Sequence, residues 1–297
     1  MHTVQRRIQM SKQSETITFI PIEKLIPFRD HPFQIRDDEQ MKMITESIRS
    51  VGVLVPAIAR PLPDGKYELI SGHRRKRASE ILGLSTLPVI IRVVDHDTAT
   101  VMMVDSNFQR EEILPSERAR AYKMKLEAIK RQGARTDLTS DQVGQKSDRK
   151  SSRDLIAENS PDSSSQIQRY LRLNELIPEL LLMVDERKIA LTPAAEISYL
   201  TKEEQEILLV TIESEMSTPS LSQAQRMKHI SRERKLTDEM ILQIMSEKKK
   251  PECWNLVFPM NKVSKYFPKS YTPKRMEETI YGLLEGWRND QSRREKA

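Results

Sequence analysis

The chain has 297 residues, 37% hydrophobic, 5% aromatic and 31% charged; that length allows two or three domains of roughly 100 to 200 residues, and the charge points to short, exposed helices instead of a large β-sandwich. No apolar run approaches the roughly 18 to 20 residues of a membrane span, the start MHTVQRRIQMSKQSE lacks the apolar core of a secretory signal, and a single cysteine, Cys253, excludes a disulfide framework, a cysteine-rich zinc site and a two-thiol redox pair. A soluble cytoplasmic protein with no membrane partner is expected, and because residues 225–297 hold 17 Lys plus Arg against 10 Asp plus Glu, the tail carries the +6 excess that suits a polyanion such as DNA.

Residues 1–15 read as a flexible segment. Over residues 16–107 strand and helix patterns alternate: ITFIPI, VPAIARP, KYELIS and TLPVIIRVV read as strands, and DDEQMKMITESIRSVG and HRRKRASEILG as helices. This is a small α/β domain, with Pro63, Asp64 and Gly65 turning a hairpin. SERARAYKMKLEAIKR predicts a long helix, and the polar residues 132–150 read as an inserted loop. RDLIAEN, SSSQIQRYLRLNEL, PELLLMVDERKI, TPAAEISYL and KEEQEILLVTIESEM carry N-cap residues at their starts, so residues 108–235 form an all-helical middle domain. Residues 236–297 read as a small basic β-α unit, with WNLVFPM as strand and TPKRMEETIYGLLEGWRND as helix. Met276, Ile280, Leu283, Leu284 and Trp287 share one face of that helix. The unit is too small to bury this stripe alone, which predicts pairing with a second copy as a homodimer. The expected fold class is α+β and multi-domain.

Three segments carry chemistry. SRDLIAENSPDSSSQIQRYLRL has the spacing of a helix-turn-helix, with Ala157, Ile167 and Tyr170 as inward anchors. Ser163, Ser164, Ser165, Gln166, Gln168, Arg169 and Arg172 then face outward, supplying hydroxyls for phosphates, amides for adenine edges and guanidiniums for guanine or phosphate. A plain helical hairpin competes with this reading, since the turn ENSPDS has no Gly and only Asn159 tolerates a left-handed backbone. In SGHRRKRA, Gly72 precedes a helix N-terminus rich in Arg, an arrangement that invites phosphate, although an exposed basic helix face would look the same. SNFQREEILPSERA adds Asn107, Gln109 and Arg110. No nucleophile has an adjacent base, and the nearby Glu68, His73, Asp105, Glu111 and Glu112 are a poor basis for a nuclease.

In this order the segments resemble the ParB family of chromosome and plasmid partition proteins. VLVPAIARP with LISGHRRKRASEILG is similar to the family's first block, DSNFQREEILPSERA to its second, and SSRDLIAENSPDSSSQIQRYLRLNELIPELL to its helix-turn-helix and following helix. RKIALTPAAEISYL continues a likeness that runs from about Ile17 to Leu200. The resemblance implies a nucleoid-associated homodimeric clamp on double-stranded DNA at a palindromic site, using CTP and magnesium (Mg2+) in the N-terminal domain and working with a ParA-type ATPase. It further implies that Gly72, His73, Arg74 and Arg75 cradle the triphosphate, that Asn107, Gln109 and Arg110 hold phosphates, that Asn107 meets the metal, and that residues 52–56 lie near the base. Two departures bear on catalysis: His73 and Ser106 stand where the pattern has acidic residues, leaving a weak CTPase at most, with Asp105 as the nearest substitute. Val55 also stands where the family often has Gln. Sulfiredoxin-type reductases share the N-terminal pattern but need a cysteine where Gly72 stands, which excludes them. The alternative function is a helix-turn-helix transcriptional regulator with no clamp cycle.

Overall fold

Five short strands lie among helices at the N-terminal end, and alternate residues along each strand face opposite layers. The computed structural model describes residues 16–109, 113–139, 152–158, 160–247, 263–268 and 270–294. Strands β1 (Ile17–Pro21), β2 (Leu25–Ile26), β3 (Ala57–Pro61), β4 (Tyr67–Ser71) and β5 (Thr86–Ile91) form one mixed sheet in the order β1-β5-β3-β4-β2. β3 and β4 are the expected antiparallel hairpin, closed where Leu62 N donates to Lys66 O at 2.9 Å. β5 runs parallel to β3, and β1 is antiparallel to β5. On β4, Leu69 joins one core layer with Ala57, Ala59, Leu87 and Val89, while Ile70 joins the layer beneath.

Helices α1 (Glu39–Val51) and α2 (His73–Ile81) pack together through Met41, Ile48 and Ala78. Helix α3 (His96–Asn107) has no counterpart in the sequence reading. It runs between the sheet and the long helix α4 (Pro115–Thr139), so Asp97, Ala99, Thr100, Met103, Val104 and Asn107 are all buried and no one-sided apolar stripe marks it. α4 also continues through residues 132–139, which the polarity had assigned to a loop; a helix leaving the core is held by its own backbone bonds and needs no apolar face there.

Among the described residues seven helices follow in the first unit: α5 (Ser152–Glu158), α6 (Ser164–Leu173), α7 (Pro178–Asp185), α8 (Leu191–Ile197), α9 (Lys202–Glu215), α10 (Leu221–Arg232) and α11 (Asp238–Ser246). Capping boxes start α6, α9 and α10. Their common core includes Leu173, Leu180, Ile197, Leu208 and Met227. α11 belongs to it through Ile241, Ile244 and Met245, and Gln223 Nε2 donates to Ile244 O at 2.7 Å. The chain therefore divides at 247/248, not at the expected 235/236. No clean break lies at 107/108 either, because one cluster joins Phe28, Phe33 and Ile70 to Tyr122, Ile156 and Ile167. In the second unit, helix α12 (Pro273–Arg294) buries Met276 and leaves Leu283, Leu284 and Trp287 exposed. WNLVFPM lies outside the described residues. No helix among the described residues is long and apolar enough to cross a membrane.

Two ion pairs fasten α4 to α3: Arg131 Nε to Asp97 at 2.8 Å and Lys125 Nζ to Asp105 at 2.5 Å. The Lys125 side chain is only 3% exposed and that of Asp105 38%. Removing the acid strands a buried ammonium, whereas removing the ammonium leaves a wetted carboxylate. Asp105→Ala is expected to cost about 1 to 3 kcal/mol, and Lys125→Met less than about 1 kcal/mol, in urea unfolding; equal costs would mean that the pair is not asymmetrically buried.

Candidate nucleotide cleft and nucleic-acid interface

Gly72 ends β4 and caps α2 in a left-handed conformation, φ 101°. A Cβ here would lie 2.8 Å from Ala57 Cβ and 3.2 Å from Ala57 Cα, so both conformation and packing require glycine. No side chain caps α2, and its first ladder bond runs from Lys76 N to Gly72 O. The amides of His73, Arg74 and Arg75 thus lie at a helix N-terminus with its positive dipole end. They line a cleft of about 650 Å³ together with Ser71, Ser106 and Asn107. The opposite wall is apolar, built by Ile44, Ile48, Val53, Leu54 and Val55. One end suits an anion and the other a flat apolar group.

The expected phosphate side chains are used differently. The His73 ring is buried, accepts the Phe28 amide at Nε2 (3.3 Å) and lies 4.0 Å from the His31 ring, so it faces the core and not the cleft. Arg74 donates to Gln40 Oε1 and Asp38 Oδ1, both at 2.8 Å, which ties α2 to the start of α1. Arg75 donates to the carbonyls of Val55 and Pro56, and burial lowers its pKa. Both arginines shape the cleft wall with their guanidiniums already engaged. Asn107 is buried, and its Nδ2 donates to Met103 O at 2.8 Å. Gln109 is exposed and does not line the cleft, and Arg110 lies outside the described residues.

Among the described residues no carboxylate lines this cleft. Asp105, the nearest substitute in sequence, is paired with Lys125. Magnesium ordinarily takes one or two carboxylates beside substrate phosphates, so the Asn107 amide and the Ser71 and Ser106 hydroxyls do not fit a protein-built magnesium site. Among the described residues no group of three His, Cys, Asp or Glu could hold a metal.

The second region is the α5–α6 pair. Ile167 is fully buried and Ala157 and Tyr170 pack beside it, as the anchors require. The turn between the helices is held by an acid: Asp162 accepts from Tyr122 Oη at 2.6 Å and from Arg118 Nη1 at 3.1 Å, while Tyr122 also meets Ser160 Oγ at 2.5 Å. Arg118 stands over the Tyr170 ring at 5.3 Å. Burial first, and the Asp162 bond second, push the Tyr122 phenol well above its usual pKa. The sequence reading missed Arg118, Tyr122 and Asp162, because no local pattern marks a bond spanning forty residues.

On α6, Ser163 and Gln166 form the capping box, each accepting the other's amide at 3.3 Å, and Ser164 donates to Asp154 at 3.0 Å. Ser165 and Gln168 are exposed and Arg169 half-buried. Arg172 departs from the expectation: its Nε donates to Ser198 Oγ at 3.0 Å and its guanidinium stacks 3.9 Å from the Tyr199 ring, so it joins α6 to α8 and does not face outward.

Residues 6–108 match the family described as ParB N-terminal domain. A nucleoid occlusion protein of Geobacillus sp. (strain WCH70) is 38% identical over 124 residues, covering 41% of this chain and 44% of the relative. A probable chromosome-partitioning protein ParB of Pseudomonas putida is 37% identical over 102 residues, covering 34% and 35%. This chain therefore spans less than half the length of either relative. The C-terminally truncated ParB of Caulobacter crescentus complexed to the centromeric parS site matches 73% of this chain and 99% of its own, at 23% identity and a TM-score of 0.45. The same protein complexed with CTP-gamma-S matches 67% and 99%, at 26% identity and a TM-score of 0.30. Structural likeness at that level leaves function to be argued from the chain's own residues.

Gly72→Ala should destabilise the first unit by about 1 to 3 kcal/mol in urea, from left-handed strain plus overpacking. A variant of wild-type stability would remove the steric argument for this turn.

Proposed function

We propose that this chain, whose residues 6–108 match the ParB N-terminal domain, belongs to the ParB family and is a site-specific DNA-binding protein of chromosome or plasmid partition or nucleoid occlusion. It reads DNA with α6 and takes CTP at the N-terminus of α2. The observation that carries the proposal is that α6, capped at its start and anchored on α4 through Asp162, turns Ser165, Gln168 and Arg169 away from the core. That is the geometry of a helix offered to the major groove. Phosphates are met at the cleft by backbone amides, while the Arg74 and Arg75 side chains hold the walls. Magnesium would arrive on the triphosphate, since the described residues of the cleft include no acid to bind it alone.

Dimerisation is assigned to α12, whose exposed Leu283, Leu284 and Trp287 want a partner face; light scattering should find dimers for the full chain and monomers for a chain ending at residue 247. A palindromic site follows from a two-fold dimer. A ParA-type ATPase is the partner that the family implies, checked by whether this protein stimulates its ATP hydrolysis. Such a protein works on the nucleoid in the cytoplasm. One observation favours a second reading, a transcriptional regulator without a clamp cycle: the arginines expected on phosphate are engaged within the protein.

With DNA selected from a random-sequence pool, Arg169→Ala should weaken specific binding by about 1 to 3 kcal/mol, or lower affinity uniformly with a smaller salt slope if it meets phosphate. Unchanged affinity for every sequence would exclude α6 as the reader. Calorimetry should find CTP bound in preference to ATP and GTP when that DNA is present, with little phosphate released. Absence of nucleotide binding would leave the regulator reading, and rapid hydrolysis would require a carboxylate that the described cleft does not contain.

A further inference from the structure

α9 and α11 pack side by side in the helical part of the first unit, and between them runs a groove of about 520 Å³. Its floor is apolar, built by Ile207 and Val210 of α9 and Leu242 of α11. Ile207 packs on the helical core, but Val210 is 65% and Leu242 46% exposed, although Ile241, Ile244 and Met245 on the same helix are buried. The rim is acidic, formed by Glu206, Asp238 and Glu239. Among the described residues no Lys, Arg or His lines the groove.

These three acids differ from others on the helical domain. Glu196 pairs with Lys228 at 2.5 Å, Glu247 with Arg226 at 2.6 Å and Glu233 with Lys235 at 3.0 Å. Glu204 accepts the Thr201 amide at 2.8 Å in the α9 capping box. Among the described residues no cation lies within ion-pair distance of Glu206, Asp238 or Glu239. α9 carries five glutamates and one lysine, in a chain whose net charge is +6. The helix dipole favours Asp238 and Glu239 in the first turn of α11. It does not account for Glu206, in the second turn of α9, or for the exposed apolar residues beside them. The hydroxyls in the groove are spent on their own helix, with Thr211 Oγ1 donating to Ile207 O at 2.8 Å and Ser214 Oγ to Thr211 O at 3.1 Å. What the groove presents is therefore an apolar floor between negative charges.

We propose that this groove docks a basic amphipathic helix of another protein, its apolar side chains on Ile207, Val210 and Leu242 and its Lys or Arg side chains against Glu206, Asp238 and Glu239. A helix fits a trough between two packed helices, because its residues three and four apart present one apolar row to the floor. Charge selects among apolar occupants. An isologous contact with a second copy would bring the same acids face to face, and DNA would be repelled outright. Neither the cleft at the N-terminus of α2 nor the exposed residues of α6 contribute to the groove, so its occupation leaves both open.

The test is fluorescence anisotropy of a labelled peptide of about 15 residues, long enough to form a helix, with Leu at helical spacing and Lys elsewhere, titrated with the full chain. The peptide should bind the wild type, and a control peptide with Glu in place of every Lys should not. Glu206→Lys/Glu239→Lys should weaken binding about tenfold or more. Val210→Asp separates docking in the groove from attraction by charge alone, because it adds an acid while removing part of the floor. Docking predicts about tenfold weaker binding, and charge alone predicts tighter binding. All three positions are exposed, so thermal melts of both variants should match the wild type. No binding to the wild type, equal affinity in the double variant, or tighter binding by Val210→Asp overturns the proposal. So does a lower molar mass of Val210→Asp in light scattering, since the groove would then face a second copy.

Discussion

The fold rests on one buried carboxylate. Asp162 sits in the turn between α5 and α6 and accepts from Tyr122 and Arg118, both on α4. A lone carboxylate in that position would be costly to desolvate; with two donors in place it fixes the turn instead. The turn has no glycine, and Asp162 ties its end to α4. The same helix is capped by Asp185 and fastened to α3 by Lys125 and Arg131. α4 is thus the element against which both the sheet domain and the α5–α6 pair are located.

Arginines that the motifs single out for DNA or phosphate are engaged within the fold. Arg172 stacks on Tyr199, which also receives Lys228 at 3.9 Å, and Arg74 and Arg75 brace α2 against α1 and β3. The cleft at the N-terminus of α2 keeps free backbone amide and dipole, and α6 leaves Ser165 and Gln168 exposed and Arg169 half-buried. Guanidiniums that hold the fold arrive pre-oriented, and their loss would be felt as stability before it is felt as affinity.

Much of this was legible in the residues. Alternating β-branched runs marked β1, β3, β4 and β5, and turn chemistry marked the hairpin at Pro63 to Gly65. Gly72 stood out by its position, and its steric necessity appears only once Ala57 is seen beside it. α3 was not legible, because a helix buried on both sides carries no stripe. Nor was the inward turn of Arg172, since helical spacing says which residues share a face but not which neighbour covers it. The Asp162 bonds were hidden for the same reason, as they join positions forty residues apart and each residue alone resembles surface.

Amide hydrogen exchange on Asp162→Ala tests this account most directly. If the carboxylate anchors the α5–α6 pair to α4, exchange in α5 and α6 should accelerate toward that of a locally opened segment while β3, β4 and β5 keep their protection. Unchanged protection across α6 would contradict the account, because the helix would then be held by its apolar anchors alone.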